Sequence, residues 1–139
     1  MSYYATAAFS AAYDVPLDAS ANCVVVAGRR GERATLAACM VLATTRADVN
    51  GIVRKRLDAR KASFAPQEQA VADSGMAFGG ITPIGLPDSW PVLVDEAVTR
   101  AGEVIIGSGI RGSKLVLDGA RLAELATAEV VPGLGLTVG

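Results

Sequence analysis

Gly79-Gly80-Ile81-Thr82-Pro83-Ile84-Gly85-Leu86-Pro87 sets three glycines and two prolines in nine consecutive positions. Such a run cannot be the interior of a helix or of a regular strand. It reads as a shaped loop, its course set by Pro83 and Pro87, with glycine N–H groups left uncovered for the close approach of a ligand. A second run, Gly107-Ser108-Gly109-Ile110-Arg111-Gly112, does the same after an apolar strand. Two loops of this kind predict a ligand site built from main-chain donors. Two tight turns in a compact fold account for the composition equally well.

The segments around these loops alternate between strands and helices. Cys23–Ala27 and Thr35–Ala43 are apolar at nearly every position, and the polar stretch Arg29-Arg30-Gly31-Glu32-Arg33 separates them. They read as an antiparallel hairpin covered on both faces. Asp48 caps a helix over Val49–Leu57, in which Val49, Ile52, Val53 and Leu57 share one face. Lys61–Phe64 is a short strand, and Pro66 opens a helix that Gly75 stops. Val92–Val94, Val104–Ile106 and Leu115–Leu117 are strands. A helical turn to Arg100 follows the first of them. Asp118 caps a helix to about Leu125, and Val130–Val131 adds an edge strand. Upstream, Thr6–Tyr13 reads as a helix and Pro16–Ala21 as a helical turn. The glycine-rich end, 133–139, reads as a flexible tail.

The length of 139 residues fits one domain with one core. With 51% hydrophobic and 19% charged residues the chain is globular, not disordered. No apolar run approaches the ~20 residues that span a bilayer, so no membrane partner is expected, and the first residues lack the pattern of a secretory signal. Cys23 and Cys39 fall in apolar strands and read as buried free thiols of a cytoplasmic protein. The chain has no histidine. That excludes Ser-His-Asp and Cys-His catalysis and every histidine-containing metal site. Two cysteines cannot complete a structural zinc site, so no metal and no cofactor are expected. Neither glycine run has Rossmann spacing, and no GK[ST] follows either.

The net charge of −1 conceals an asymmetry. Residues 29–61 hold Arg29, Arg30, Arg33, Arg46, Arg54, Lys55, Arg56, Arg60 and Lys61 against Glu32, Asp48 and Asp58, a local charge of +6. A local basic face on a near-neutral protein suits docking to a polyanion. A solvated helix face plus a hairpin tip explains the same residues.

Four motifs together, Lys61-Ala62-Ser63-Phe64-Ala65, Gly79–Gly85, Pro91-Val92-Leu93-Val94-Asp95-Glu96 and Gly107–Leu115, resemble the YbaK/prolyl-tRNA editing-domain family in order and spacing from about Val15 to Leu125. The resemblance implies an α+β fold with a mixed, largely antiparallel, barrel-like central sheet and flanking helices. It implies a single domain over 1–139 that hydrolyses the ester of a wrongly charged aminoacyl-tRNA. Alanyl- and cysteinyl-tRNA-Pro are typical family substrates. The expected partners are the acceptor end of an aminoacyl-tRNA and an aminoacyl-tRNA synthetase. By match, Gly79, Gly80, Pro83 and Gly85 shape the pocket, with Thr82 in the same loop. Gly107, Gly109, Arg111 and Lys114 lie in the loop beside it. Arg54, Lys55, Arg56, Arg60 and Lys61 are placed to take acceptor-stem phosphates. Gly80, Asp95 and Asn22 are the catalytic candidates. Asp95 would orient water, or is simply a turn carboxylate at a strand end.

Asn22 marks a departure. Active members of the family carry a lysine at the start of the first long strand, where this chain has Asn22 before Cys23-Val24-Val25. An amide still forms hydrogen bonds but brings no charge. A non-catalytic tRNA- or aminoacyl-binding module therefore stands as the alternative to a deacylase. Cys23 as a nucleophile lacks a base, and a structural thiol is the better reading. Relatives also generally have a helix and a strand before the segment matching Thr6–Tyr13, so either a reduced domain or a missing N-terminal segment is expected.

Overall fold

The computed structural model describes residues 19–77, 80–110 and 113–137. The expected helix over Thr6–Tyr13 lies outside them, as do Gly79 and Arg111. The hairpin of β1 (Ala21–Arg30) and β2 (Arg33–Leu42) runs in register from Ala21↔Leu42 to Arg30↔Arg33. Strand alternation sends Ala21, Cys23 and Val25 to one face and Asn22, Val24 and Val26 to the other. Each face has its own core. Val26, Ala37, Cys39, Val41, Leu93 and Val131 pack with Val49, Val53 and Leu57 on the first. Ala21, Cys23, Ala38, Met40, Val92 and Val94 pack with Val98, Val104, Ile106 and Leu122 on the second. Burial on both sides explains why the stretches 23–27 and 36–42 are apolar throughout. Each fully buried Val or Leu contributes about 1.5–3 kcal/mol.

After β2 come β3 (Thr45–Ala47), the helix α1 (49–56), β4 (Lys61–Phe64), α2 (Gln67–Ser74), β5 (Val92–Asp95) and α3 (Glu96–Thr99). Then follow β6 (Glu103–Gly107), β7 (Lys114–Asp118), a 3₁₀ segment (Gly119–Glu124), β8 (Ala128–Val131) and β9 (Gly135–Thr137). The main sheet has the order β4-β1-β2-β5-β8. Its β4-β1-β2 part is antiparallel, and the β2-β5-β8 part is parallel. The fold is thus α+β around a mixed sheet, with two small antiparallel pairs, β3–β9 and β6–β7.

Three local readings need correction. The segment after Asp48 is not one α-helix: α1 begins as a π turn, Val49–Val53, and continues α-helical over Arg54–Arg56. The Asp48 carboxylate accepts from the N–H groups of Gly51 at 3.1 Å and Ile52 at 3.3 Å, which holds the first turn wide. The segment capped by Asp118 is 3₁₀, not α-helical. The end of the chain is not a loose tail as far as Thr137. Gly135–Thr137 pairs with β3, and the Gly135 N–H donates to Asp95 Oδ2 at 3.0 Å.

Candidate functional site

The two glycine runs meet. The Gly80 N–H donates to the Ala77 carbonyl at 2.9 Å, the Gly80 carbonyl accepts from the Gly109 N–H at 2.6 Å, and the Gly109 carbonyl accepts from the Ala77 N–H at 3.0 Å. A Cβ on Gly107 would lie 2.6 Å from the Ile81 oxygen and 2.7 Å from the Gly80 oxygen. A Cβ on Gly80 would collide with the Ile110 carbonyl. The glycines are needed because two backbones touch. This corrects the expectation that their amides stand open to a ligand. The N–H groups of Gly80 and Gly109 are consumed by the junction itself.

Met76 was not foreseen from the sequence. It follows Gly75, the left-handed C-cap of α2 (φ +71°). Its Sδ accepts from the Thr82 N–H at 3.4 Å. Its side chain also comes to 3.9 Å from the Cβ position of Gly85 and 4.0 Å from that of Gly109. An unbranched thioether suits such an irregular gap. No periodicity marks a lone methionine in a loop. Thr82 itself is only 3% exposed, and its hydroxyl has no hydrogen-bond partner among the described residues. Ser20 is the other buried hydroxyl in that condition. Pro83 is buried and Gly85 has φ +86°, so the loop turns where its composition required.

Asn22 lies beside this junction. Ser20 bridges Ile105 in parallel, and two residues further along each chain bring Asn22 level with Gly107. Gly107 in turn pairs with Lys114 across the β6–β7 hairpin. Asn22, Gly107 and Lys114 thus occupy one row of adjacent chain positions. Asn22 is 3% exposed. Lys114 is half-buried, and burial holds its ammonium below the usual lysine range. Burial disfavours the charged form, so this amine is easier to deprotonate than a surface lysine.

Asp95 sits on the same sheet face as Asn22. Asn22 pairs with Val41, and extending the Met40↔Val94 register by one residue sets Val41 beside Asp95. Two strand spacings, roughly 10 Å, therefore separate the two residues. The Asp95 carboxylate has other work. Oδ1 accepts from the Ala97 N–H at 3.3 Å and Oδ2 from the Gly135 N–H. It caps α3 and anchors β9, which is the turn-carboxylate reading.

The thiols are structural. Cys23 and Cys39 are not disulfide-bonded, and they point to opposite faces of the sheet. Burial pushes the Cys39 thiol up to about 12. Cys23 is raised further, first by burial and then by Cys39. A thiol held in its neutral form is a poor nucleophile.

The basic residues divide into two sets. Arg30 and Arg33 reach across to Asp58, with nitrogen–carboxylate distances of 3.2 and 3.9 Å, and both donate to its carbonyl, at 2.7 and 2.6 Å. Arg56 pairs with Glu129, and Arg54 donates to the Asn50 carbonyl at 2.8 Å. Arg29 lies opposite Lys61, and the Arg60 N–H donates to the Arg29 carbonyl at 2.8 Å. Arg29, Lys55, Arg60 and Lys61 are exposed. No cluster of potential metal ligands occurs among the described residues, and no described helix is long and apolar enough to cross a membrane.

The model of the aminoacyl-tRNA editing domain family matches residues 2–125. The chain belongs to that family. Among solved structures it is similar to a hypothetical protein at 21% identity, with a TM-score of 0.81, over 94% of this chain and 83% of the other. It is also similar to a candidate trans-editing enzyme for prolyl tRNA synthetase, at 21% identity and a TM-score of 0.77, over 96% of this chain and 80% of the other. These likenesses confirm the fold.

Proposed function

We propose that this protein is a trans-editing deacylase, which hydrolyses the ester linking a wrong amino acid to tRNA. The reading rests on membership of the editing family together with one observation. The row Asn22, Gly107 and Lys114 lies against the junction of the two glycine loops. An aminoacyl ester is already activated. Its hydrolysis needs a placed water and a charge or dipole on the developing oxyanion. Asn22 supplies an amide dipole, and Lys114, two strand spacings (roughly 10 Å) along the same row, supplies the cation that position 22 lacks. Water adds to the ester carbonyl. Collapse of the tetrahedral intermediate then releases the amino acid and leaves the terminal ribose hydroxyl on the tRNA. Arg29, Lys55, Arg60 and Lys61 are the exposed cations offered to acceptor-stem phosphates, while Arg54 and Arg56 are engaged with the Asn50 carbonyl and Glu129. This activity belongs in the cytoplasm, alongside a synthetase that makes the error.

The test is a panel of mischarged tRNAs, beginning with alanyl- and cysteinyl-tRNA-Pro, followed for loss of the ester. Hydrolysis well above the spontaneous rate is expected, and Lys114→Met should reduce it. The uncharged side chain of Asn22 favours a second reading, a binding module without hydrolysis. Under that reading the wild-type protein binds tRNA but releases no amino acid, and Asn22→Lys creates an activity where none existed.

A further inference from the structure

The glycine junction leaves one polar side-chain atom over. The N–H and carbonyl of Gly80 and of Gly109 are satisfied within it, and the Thr82 N–H is taken by Met76 Sδ. Ser108 Oγ donates to the carbonyls of Ser113, at 3.0 Å, and Ile110, at 3.4 Å. Thr82 Oγ1 has no partner among the described residues, although the residue is 3% exposed. A buried hydroxyl without a partner is destabilising, and a valine of the same shape would remove the penalty. Keeping a hydroxyl at this point therefore makes physical sense if a ligand completes its hydrogen bond.

We infer that Thr82 Oγ1 is the group by which the loop holds the aminoacyl moiety of the substrate, through a hydrogen bond to its carbonyl oxygen or amino nitrogen. The inference rests on the editing reading above and deepens it. A hydroxyl both donates and accepts, so it suits either atom. It also replaces the loop amides of Gly80 and Gly109, which are already bonded within the junction. Ile81 packs into the core beside Thr82, and Met76 bridges the two loops. The neighbours of the hydroxyl are thus largely apolar, which strengthens any hydrogen bond made there.

The test compares the wild-type protein with Thr82→Val, Thr82→Ala, Thr82→Ser and the control Ser20→Ala. Three quantities are read: melting temperature, kcat/KM on mischarged tRNA, and binding of 3′-deoxy-3′-(alanylamino)adenosine, an aminoacyl end that cannot be hydrolysed. Thr82→Val should melt at or above the wild-type temperature, yet lose roughly tenfold or more in kcat/KM and in binding, the value of one hydrogen bond. Thr82→Ser should keep both within about threefold. Ser20→Ala should keep its activity. If Thr82→Val does not fold, Thr82→Ala carries the same expectation. Wild-type activity and binding in Thr82→Val or Thr82→Ala overturn the inference and leave the editing reading intact. A wild-type protein that binds the analogue without hydrolysing tRNA, with binding lost in Thr82→Val, supports the inference and overturns the deacylase. No binding and no hydrolysis by the wild type overturn both.

Discussion

The glycine junction and the tip of the β1–β2 hairpin are both loop regions, and they are held by opposite means. At the junction, backbone meets backbone. The Gly80–Gly109 hydrogen bond is 2.6 Å, and there is no room for a Cβ at Gly80 or Gly107. At the hairpin tip, side chains reach across, with Arg30 and Arg33 both on Asp58. The first arrangement is rigid and steric. The second is exposed and electrostatic, so it tolerates change and responds to salt. The proposed pocket lies on the first, and the proposed polyanion surface on the second.

Substitution should separate the two most sharply at Gly107. Gly107→Ala puts a methyl group against two carbonyl oxygens and should destabilise by about 3 kcal/mol, with deacylation abolished, as thermal melting and turnover would show. A fully stable, active Gly107→Ala would mean that the loops can part at no cost. Asp95→Ala removes the α3 cap and leaves the Gly135 N–H unpaired, an expected loss of about 2 kcal/mol by denaturant titration. At the electrostatic end, replacing Arg29, Arg60 and Lys61 with glutamine should leave the melting temperature nearly unchanged. It should weaken tRNA binding and reduce its salt slope by up to about one for each phosphate that is no longer neutralised. The smallest effect belongs to Asp58, a non-glycine residue at φ +51°. Asp58→Gly removes two exposed ion pairs but relieves the left-handed backbone, and stability should change by less than about 1 kcal/mol.

The thiols give a pH test that spares both loops. Cys39 keeps its proton in the folded state up to about 12, against an ordinary value of 9.0. Above pH 9 the unfolded chain releases this proton and the folded chain does not. Stability is therefore fully present below pH 9 and falls as pH rises from there toward 12. Cys39→Ala should flatten that decline, measured by chemical denaturation at several pH values.

Much of the strand pattern was legible because both faces of the sheet are buried, which makes 23–27 of β1 and 36–42 of β2 apolar without interruption. The caps at Asp48 and Asp118 are legible because a short acidic side chain before a helical turn has one obvious use. The parallel pairings of β5 with β2 and β8 were not. Hydrophobic content shows that a strand is buried, not which neighbour it has. β9 was missed because three glycine-flanked residues carry no period of their own. The glycine runs were legible as shaped loops but misread as open donors. The partner of a backbone N–H in one loop lay 29 residues away, at Gly109 against Gly80.

By itself, the sequence determined which chemistry is available. It has no histidine and two cysteines, two glycine-rich runs, a basic stretch over 29–61, and an uncharged asparagine at position 22. Those are properties of residue type and order. Tertiary structure alone decided which of these groups remain free to act. It turned the Gly80 and Gly109 amides onto the junction, tied Asp95 to Gly135, buried both thiols and left Thr82 Oγ1 without a partner among the described residues. A hydrogen-bonding group counts toward function only if folding has not already satisfied it, and that is settled by neighbours distant in sequence.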